Sequence, residues 1–556
     1  MTATVVTLVG LMGAGKTRVG QRAAEALGRP FVDTDELIAR SAGMSVAEIF
    51  ATEGEAAFRR REREAIVTAL ATPGAVVSVG GGAVLDTTNV TRMRAAGPVL
   101  WLYAEPSTLL YRLRRSLRRG DRPLLASGDP LEVLTTLLAR RRPAYTAAAS
   151  ATLRTDGLSV ERSAALLTDW IQTHMTPVNA ETPTRITVGI DPPYDVWVGR
   201  GLLGRLQQYV PPTLGAGRAA VVTTAEVERP YGKAVVEALT SAGLDVHRHV
   251  VPSGEAAKSL TVLGGLYDWL ASIPLARHDV VVALGGGVVT DLAGFLAATW
   301  HRGVPVVHLP TTLLAQVDAA IGGKTGVNLA AGKNLVGAFH QPAVVVADTA
   351  VLESLPPREL RAGLAEVIKC GFIRDPQILD LVERDPAAAL DPAGAVMVDL
   401  VRRAVAVKAG VVAADTHEHG ERALLNYGHT LGHAIETLTG YRRYRHGEAV
   451  ALGMRFAAIV AELTGEAQAG LAARTTALLA GVGLPTTCVP LDGDAVWKVM
   501  ARDKKVRDGI RMVLCDRPGS AHLVDAPPQP VLERALERLC GTADPNDLVG
   551  LREPPT

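Results

Sequence analysis

The sequence predicts an α/β protein in three parts, because strand-like and helix-like segments alternate along most of its 556 residues. In residues 1–172, short apolar runs alternate with amphipathic stretches, which indicates helices packed on a mainly parallel sheet. The alternation resumes at residue 185, and after residue 355 only helical patterns follow. We therefore expect a parallel-sheet unit, then a Rossmann-like α/β domain, then an all-helical domain.

The individual elements are predicted from apolar runs and from the spacing of apolar residues. The candidates in the first unit are the strands Thr4–Val9, Val76–Val79 and Val99–Tyr103 and the helix Val46–Leu70. The next strand candidates are Ala219–Thr223, Val246–Val251, Val280–Leu284, Val306–Leu309 and Val344–Ala347. The later helix candidates are Arg358–Phe372, Ala395–Ala409, Thr430–Thr439, Glu448–Leu463 and Leu471–Ala480.

A linker is predicted between the two α/β parts. Residues 173–184 are polar, contain two prolines and lack apolar periodicity. The expected domains are therefore 1–172, 185–355 and 356–556, with the linker at 173–184.

The composition excludes several classes of protein. Charged residues make up 21% and apolar residues 48% of the chain, which is typical of globular proteins. A net charge of +1 gives no basis for a nucleic-acid-binding surface. No uncharged apolar run reaches the roughly 18–20 residues that span a bilayer. The N-terminus lacks a signal-like pattern and the four cysteines are widely spaced, so we expect a cytoplasmic protein.

A phosphate-binding loop follows the first predicted strand. The run Gly10-Leu-Met-Gly-Ala-Gly-Lys16-Thr17 fits G-x-x-x-x-G-K-[ST] and precedes a helical pattern, the context in which this motif is specific. Backbone N–H groups of such a loop surround phosphate oxygens, while Lys16 reaches the β- and γ-phosphates and Thr17 ligates Mg²⁺. The motif predicts binding of ATP with Mg²⁺.

Further motifs complete an ordered set in the first unit. After the loop come Asp33-Thr-Asp35, Phe58-Arg59, Gly80-Gly-Gly82, Arg122-Pro-Leu-Leu and Arg141-Arg-Pro-Ala-Tyr145. In this order they resemble shikimate kinase over residues 3–172. The resemblance implies that shikimate is bound by Asp35, Arg59, Gly81 and Arg141. Two arginines suit the capture of a small carboxylate of this kind.

The same resemblance assigns the rest of the kinase site. Thr17 and Asp33 would hold Mg²⁺, and Arg122 would lie on a lid that meets the ATP phosphates. Catalytic roles would fall to Lys16 and Arg122. The implied ATP contacts are Gly13, Ala14, Gly15, Lys16, Thr17, Arg18 and Arg122.

A second nucleotide site is indicated where a strand runs into three glycines, in Asp279-Val-Val-Val-Ala-Leu-Gly285-Gly-Gly287. Such a turn brings a backbone close to a pyrophosphate at a helix N-terminus. The run is not the G-x-G-x-x-G fingerprint, because Thr290 replaces the third glycine. A purely structural turn therefore stays open as the alternative.

A pair of histidines indicates a metal site. His429 and His433 are four residues apart in a predicted helix and so share one face. Two glycines, the further His446 and acidic residues lie close by in the sequence. From spacing alone, both helix histidines would be ligands.

Residues 185–545 resemble 3-dehydroquinate synthase along their whole length. The motifs are Gly254-Glu-Ala-Ala-Lys258, Gly285-Gly-Gly-Val-Val-Thr-Asp291, Pro310-Thr-Thr-Leu-Leu, Gly322-Gly-Lys324-Thr, Gly332-Lys-Asn334, Leu364-Ala-Glu366-Val-Ile-Lys369, Asn426-Tyr-Gly-His-Thr-Leu-Gly-His433 and Asp503-Lys-Lys505. The resemblance implies that Glu366, His429 and His446 ligate the metal, with His433 as a polar neighbour. Zinc is usual in this family, and the ligand types leave cobalt open.

The resemblance also implies the remaining residues of this second site. Those around NAD would be Ser253, Gly254, Glu255, Lys258, Gly286, Gly287, Asp291, Thr311, Thr312, Lys324, Lys333, Val351, Ser354, Leu355 and Glu359. Those around the substrate would be Arg302, Asp318, Lys324, Asn334, Lys369, Lys408, Arg422, Asn426, His433 and Lys504 or Lys505. The catalytic ones would be Lys324, Lys369, Arg422 and His433.

The rarity of lysine supports this assignment. Only 10 of the 58 basic residues are lysines, so a retained lysine indicates a site that needs a compact ammonium. The lysines outside the proposed sites are Lys233 and Lys498. The others fall in motifs, as expected for pockets that neutralise phosphate and carboxylate.

Together the two resemblances imply a bifunctional enzyme of the shikimate route. One activity would phosphorylate shikimate with ATP. The other would convert 3-deoxy-D-arabino-heptulosonate 7-phosphate to 3-dehydroquinate and phosphate, with NAD reduced and reoxidised in each turnover. The expected partners are small-molecule substrates, with no nucleic acid and no membrane. The resemblance also implies a homodimer that forms through the second unit.

Two alternatives remain open from the sequence. The first is a related cyclase that acts on another sugar phosphate, which Lys324, Lys369 and Arg422 disfavour because they suit a substrate with a carboxylate. The second is a regulatory protein whose nucleotide loop gates the second unit. The intact pair Lys16 and Thr17 disfavours that second alternative.

Overall fold

The computed structural model describes residues 4–117, 129–175, 182–210, 215–416, 420–467, 469–503, 511–525 and 527–541. The chain divides into two compact units, Met1–Thr176 and Pro177–Thr556. Each unit has its own hydrophobic core.

The first unit is built on a five-stranded parallel sheet in the order β2-β3-β1-β4-β5. Its strands are β1 (Val6–Val9), β2 (Phe31–Asp33), β3 (Val76–Ser78), β4 (Val99–Tyr103) and β5 (Ala151–Arg154). The three central strands are almost wholly buried because helices cover both faces, as in other parallel sheets. The parallel sheet predicted from the apolar runs is confirmed.

Eight helices surround the described part of this sheet. They are α1 (Lys16–Ala26), α2 (Thr34–Ala42), α3 (Val46–Thr52), α4 (Gly54–Leu70), α5 (Thr87–Ala96), α6 (Pro106–Leu117), α7 (Pro130–Ala148) and α8 (Val160–Met175). The single helix predicted over Val46–Leu70 is two helices, because Gly54 has a φ of 80°, which a helix interior excludes. Helix α8 runs three residues into the segment predicted as a linker.

The second unit begins with a seven-stranded sheet in the order β6-β7-β14-β11-β10-β8-β9. The strands of this region are β6 (Thr184–Val188), β7 (Tyr194–Gly199), β8 (Arg218–Thr224), β9 (Asp245–Val251), β10 (Val280–Gly285), β11 (Val306–Pro310), β12 (Lys324–Leu329), β13 (Gly332–Phe339) and β14 (Val344–Asp348). Strands β12 and β13 form a separate antiparallel hairpin. The helices are α9 (Ala225–Val227), α10 (Lys233–Ser241), α11 (Leu260–Ser272) and α12 (Gly287–Thr299).

The topology of this sheet fixes where loops can meet a ligand. Within this seven-stranded sheet, β7, β14, β11, β10, β8 and β9 all run parallel to one another. The edge strand β6 pairs antiparallel with β7. The carboxyl ends of β9, β10, β11 and β14 therefore lie along one edge. The chain order reverses between β8 and β10, and open α/β sheets bind ligands at such a reversal.

The remainder of the second unit is mostly helical. Its helices are α13 (Pro357–Ile373), α14 (Gln377–Arg384), α15 (Pro386–Ala389), α16 (Ala395–Ala414), α17 (His429–Leu438), α18 (His446–Thr464), α19 (Leu471–Gly481), α20 (Gly493–Asp503) and α21 (Gln529–Cys540). The sequence analysis predicts helices alone here, whereas β15 (Arg511–Arg517) and β16 (Ser520–Asp525) form a hairpin. This hairpin is anchored to the end of α13, where Gly519 N donates to Phe372 O at 2.9 Å.

Helix α18 lies in the middle of this helical part and contacts α13 and α17 closely. A Cβ added at Gly447 would lie 1.8 Å from the carbonyl oxygen of Ala362 in α13. A Cβ at Gly453 would lie 1.8 Å from the carbonyl oxygen of Gly428, which precedes α17. Glycine at these two positions is what allows the three helices to approach. Among the described residues, no helix combines the length and the apolar character needed to cross a bilayer.

Candidate active sites

The phosphate loop of the first unit connects β1 to α1. Gly13 and Gly15 have φ values of 81° and 96°, which side chains other than glycine rarely adopt. The loop ends at the N-terminus of α1, where free backbone N–H groups and the helix dipole favour an anion. Lys16 Nζ donates to the carbonyl oxygen of Gly10 at 2.8 Å, which holds the ammonium over the loop.

Thr17 and Asp33 lie together beside this loop. The Thr17 hydroxyl donates to Asp33 Oδ2 at 2.8 Å, and Asp33 Oδ1 accepts from the backbone N–H of Asp35 at 3.0 Å. Asp33 is thereby fixed at the end of β2 as the N-cap of α2. A hydroxyl and a carboxylate so placed are the oxygen donors that Mg²⁺ prefers.

A cleft of about 1030 Å³ joins the loop to the other predicted kinase residues. The predicted residues that line it are Gly13, Ala14, Gly15, Lys16, Thr17, Arg18, Asp33, Asp35, Arg59, Gly81 and Arg141. The structure therefore brings together every predicted kinase residue that it describes. Arg122 lies outside the described residues.

Two groups in this cleft were missed by the sequence analysis. Glu62 is buried and accepts from Arg59 Nη1 at 2.7 Å. Burial raises the pKa of Glu62, although the Arg59 guanidinium opposes the shift. The hydroxyl of Tyr145 donates to Gly81 O at 2.6 Å, and Arg141 Nη1 donates to the same oxygen at 3.0 Å. Tyr145 ends the quoted motif that begins at Arg141, and Glu62 stands three residues after Arg59 on the same helix, so their position beside motif residues was the available signal.

The predicted NAD residues of the second unit follow the carboxyl ends of four strands. They are Ser253, Gly254, Glu255 and Lys258 after β9, Gly286 and Gly287 after β10, Thr311 and Thr312 after β11, and Val351, Ser354 and Leu355 after β14. Parallel pairing brings these loops to one edge of the sheet. A Cβ at Gly286 would lie 3.0 Å from the Thr312 methyl group, so a larger residue there would crowd the loop after β11.

Lys258 lies at the centre of a buried polar cluster at this edge. Its ammonium donates to Asp291 Oδ2 at 2.6 Å and to Asn334 Oδ1 at 2.5 Å. Burial raises the pKa of Asp291 to about 6, against the opposing charge of Lys258. The cluster joins residues predicted for NAD to Asn334, which is predicted for the substrate.

The hairpin β12–β13 extends this cluster. Asn328 Nδ2 donates to Glu255 Oε1 at 2.7 Å, and Lys333 lies 3.9 Å from the same carboxylate oxygen. The Lys333 ammonium also lies 4.0 Å from the centre of the Tyr441 ring, a cation–π distance. Lys324 starts the hairpin directly after Gly323.

Other predicted NAD residues already have protein partners. Ser253 Oγ donates to Glu226 Oε2 at 2.5 Å, and Ser354 Oγ accepts from the Tyr231 hydroxyl at 2.7 Å. Glu359 pairs with Arg445 at 2.9 Å. These contacts fix the loops after β9 and β14.

Glu366, from the middle of α13, forms one group with His429 and His446, the first residues of α17 and α18. Each offers a ligand atom within 4.8 Å of the others, although they belong to α13, α17 and α18. Glu366 Oε1 lies 3.6 Å from His429 Nε2 and 3.5 Å from His446 Nε2. One carboxylate and two imidazoles are ligands that suit zinc or cobalt.

The charges around Glu366 favour its ionised form. Burial opposes ionisation, but Lys369 and the two imidazoles outweigh it and hold the pKa of Glu366 well below its usual range. Burial also disfavours the charged form of His446, yet Glu366 and Glu436 raise the pKa of His446 to about 10. A buried anion thus faces the two imidazoles.

His433 is not part of this group, which corrects the expectation from spacing alone. Its ring centre lies 5.4 Å from that of His429 and 6.2 Å from that of His446. His429 is the first residue of α17, next to α13, whereas His433 lies one turn further along. The third ligand atom comes from Glu366 on another helix, and local spacing cannot predict that.

The predicted substrate residues include three buried cations near this group. Lys369 forms an ion pair with Glu366, and Lys408 forms one with Asp318. Burial opposes the ionisation of Asp318, but Lys408 and Lys369 lower the pKa of Asp318 to about 2. Arg422 Nη2 donates to Gly322 O at 2.9 Å and so touches the loop that carries Lys324.

Four other predicted substrate residues are Arg302, Asn426, Lys504 and Lys505. Arg302 is exposed beyond α12 with a φ of 67°, and in the described part of the chain we find no hydrogen bond or ion pair from it to the substrate group. Lys504 and Lys505 lie outside the described residues. Asn426 ends the turn before α17, close in sequence to His429.

Glu436 is a further site residue to which the sequence analysis gave no role. Its Oε2 lies 3.2 Å from His446 Nδ1, and the side chain is 10% exposed. It stands seven residues after His429, two turns along the same helix face. That periodicity was the signal that could have found it.

Comparison with protein families places the two units separately. Residues 12–172 match the family model of shikimate kinase. Residues 248–362 match the N-terminal model of 3-dehydroquinate synthase, and residues 363–506 match its C-terminal model.

Individual relatives agree with the family models. The chain is 50% identical over 368 residues to a 3-dehydroquinate synthase of Nocardia farcinica, which covers 66% of this chain and 98% of that protein. It is also 50% identical over 367 residues to one of Thermobifida fusca, which covers 65% and 98%. Among solved structures, a 2-epi-5-epi-valiolone synthase from Streptomyces hygroscopicus with NAD⁺ and Zn²⁺ bound is 30% identical, with a TM-score of 0.58 over 62% of this chain and 96% of that one.

Proposed function

The chain belongs to the 3-dehydroquinate synthase family and carries a shikimate kinase domain ahead of that part, and we propose the residues by which each domain works. The protein is a bifunctional enzyme with both activities. The observation that carries the proposal is the convergence of Glu366, His429 and His446 from three helices onto one point.

In the kinase domain, the cleft residues divide into donor and acceptor sides. Lys16 and the glycine loop bind the ATP phosphates, and Thr17 with Asp33 holds Mg²⁺. Arg59 and Arg141 bind the carboxylate of shikimate, while Asp35 accepts hydrogen bonds from its hydroxyls. Arg122, which the resemblance assigns to a lid, would add a positive charge at the phosphates.

In the synthase domain, the donor set and the loops fit the cofactors of the family. Glu366, His429 and His446 would hold zinc or cobalt and leave coordination positions open for a substrate. The loops after β9, β10, β11 and β14 would hold NAD, with Lys258, Asp291, Lys333 and Glu359 around it. When bound, NAD supplies a reversible hydride acceptor and the metal polarises a hydroxyl.

The buried cations determine which sugar phosphate this domain accepts. Lys369 and Lys408 are almost inaccessible to solvent, and each is paired with a carboxylate that an anionic substrate can replace. Together with Lys324 and Arg422 they provide enough charge for a phosphate and a carboxylate at once. We therefore assign 3-deoxy-D-arabino-heptulosonate 7-phosphate as the substrate, in agreement with 50% identity to 3-dehydroquinate synthase and 30% to the valiolone synthase.

The two domains are proposed to work independently, within the bounds 1–172, 185–355 and 356–556. Their reactions are not consecutive, because dehydration and reduction separate 3-dehydroquinate from shikimate. Fusion would then serve joint production of the two enzymes. The units, cut apart within 173–184 and mixed in equal amounts, should sustain the same flux as the fused chain. A loss of flux that needs the intervening enzymes would show direct transfer instead.

The decisive experiment measures both activities in one preparation. A zinc-selective chelator in excess Mg²⁺ should abolish NAD-dependent phosphate release from the heptulosonate phosphate and leave shikimate phosphorylation intact. His429→Ala should do the same, and Lys16→Ala should do the reverse. Phosphate release that survives His429→Ala would refute the proposed metal site.

Assembly and location complete the proposal. The second unit would form a homodimer, as the family resemblance implies, and light scattering on the purified chain tests this. The four cysteines are all free thiols, which supports a reducing cytoplasmic environment that cell fractionation can test.

A further inference from the structure

The two ring nitrogens of His446 face two different carboxylates. Nε2 lies 3.5 Å from Glu366 Oε1, and Nδ1 lies 3.2 Å from Glu436 Oε2. Glu366 comes from α13 and Glu436 from α17, so the imidazole at the start of α18 is held between two other helices.

We propose that Glu436 is a positioning residue for metal binding, which fixes the ring of His446 and keeps the proton on Nδ1. With Nδ1–H donated to Glu436, the lone pair of Nε2 is directed at the point shared with Glu366 and His429. Outer carboxylates of this kind orient a ligating histidine and make it a stronger donor. The inference rests on the metal site of the proposed function.

The surroundings of Glu436 agree with this role. Its side chain is 10% exposed, and a buried carboxylate is costly unless it is hydrogen-bonded to a partner. Its backbone oxygen separately accepts from Tyr441 N at 2.8 Å, which anchors the turn that leads to His446. A substitution at position 436 therefore removes the side-chain contact and leaves the backbone anchor in place.

The test is the affinity of the full chain for Zn²⁺, measured by competition with a chromogenic chelator. Glu436→Ala should weaken Zn²⁺ binding about 10- to 100-fold, the usual effect of losing an outer carboxylate. Glu436→Gln should lose less, because its amide oxygen can still accept from Nδ1–H. Glu462→Gln is the matched control, since Glu462 accepts from backbone N–H groups near the far end of α18 and should bind Zn²⁺ like the wild type.

The outcomes separate this inference from the proposed function. If the wild type takes up no Zn²⁺, or His429→Ala takes it up unchanged, the metal site itself is wrong. If the wild type binds and Glu436→Ala binds within about twofold of it, the positioning role is overturned. Circular dichroism checks that each variant folds. If Glu436→Ala does not fold, Glu436→Met takes its place in the Zn²⁺ measurement, because it keeps the side-chain length without an acceptor.

A spectroscopic readout adds evidence that does not depend on affinity. Co²⁺ bound in place of Zn²⁺ reports the geometry of its ligands through its visible absorption. The band should shift in Glu436→Ala and Glu436→Met and stay in place in Glu462→Gln. An unchanged band in both Glu436 variants would count against a role in orienting His446.

Discussion

The ammonium of Lys258 lies 2.6 Å from a carboxylate oxygen of Asp291, and this contact ties the loop after β9 to the first helix after β10. Lys258 is 4% exposed and the side chain of Asp291 is 21% exposed, so the pair is largely shielded from water at the edge where the NAD loops meet. The same ammonium reaches Asn334 on the hairpin, which makes it the link among three segments.

Lys258→Met should destabilise the second unit by about 1–3 kcal/mol, because the change leaves the partly buried Asp291 carboxylate without its counterion. It should also weaken NAD binding at least tenfold. Urea unfolding and NAD titration measure the two effects. Lys233→Met is the control, since that lysine is 88% exposed and its loss should cost less than about 0.5 kcal/mol. Equal stability of the two variants would mean that the Lys258 pair adds nothing.

The pKa of Asp291 predicts how stability changes with pH. Burial raises this pKa from 3.8 to about 6, so the folded chain holds the proton more tightly than the unfolded chain. The stability that this group contributes is complete below about pH 4 and is lost as the pH rises through about 6. Asp291→Asn cannot titrate, so the wild type should lose stability relative to this variant as the pH rises from about 4 to about 7. Urea unfolding at several pH values tests this, and an opposite trend would contradict the raised pKa.

The close contact of Gly447 with α13 allows a steric test of how the metal group is positioned. Gly447→Ala should destabilise the chain by about 3 kcal/mol and weaken Zn²⁺ binding, because the new Cβ would force α18 away from α13. Gly410→Ala is the matched control in an exposed helical position with open space around it, and it should stabilise the chain by about 0.5–1 kcal/mol. If both variants melt like the wild type, the close approach of the helices is not required.

Arg141 predicts a specific effect on the kinase. Arg141→Lys should raise the KM for shikimate about 10- to 100-fold, because lysine cannot make the paired hydrogen bonds of a guanidinium to a carboxylate. The KM for ATP should stay nearly constant. Arg142→Lys changes the neighbouring exposed arginine, which contacts Tyr103, and should leave both constants unchanged. If only the KM for ATP rises, Arg141 binds ATP and not shikimate, and the proposed role is wrong.

The α/β order and the glycine loops could be predicted from the sequence, because they depend on residues close together in the chain. The apolar run of β10 and the glycines after it predicted both the strand and the close backbone approach. The break between α3 and α4 was missed, because only the backbone angle of Gly54 marks it. The hairpin β15–β16 was missed although its signal is local, an apolar run from Met512 to Cys515 followed by the turn residues Pro518 and Gly519.

The candidate metal group shows where such prediction ends. Local spacing singled out His429, which the structure places beside Glu366 and His446, but paired it with His433, its neighbour on the same helix. The third member, Glu366, belongs to a distant helix, and only the family resemblance singled it out. The partner Glu436 lies three residues after the motif that ends at His433, but its contact with His446 depends on how α17 and α18 pack.

The origin of Glu366, His429 and His446 on three separate helices also affects how long the protein survives. An ion at that point would cross-link segments that are otherwise held by side-chain packing and by contacts such as the ion pair between Arg358 and Glu448. A ligand present at a hundred times its dissociation constant stabilises a folded chain by about 2.7 kcal/mol. Metal starvation should therefore expose the second unit to proteolysis, and a cell short of zinc would lose the enzyme itself as well as its turnover.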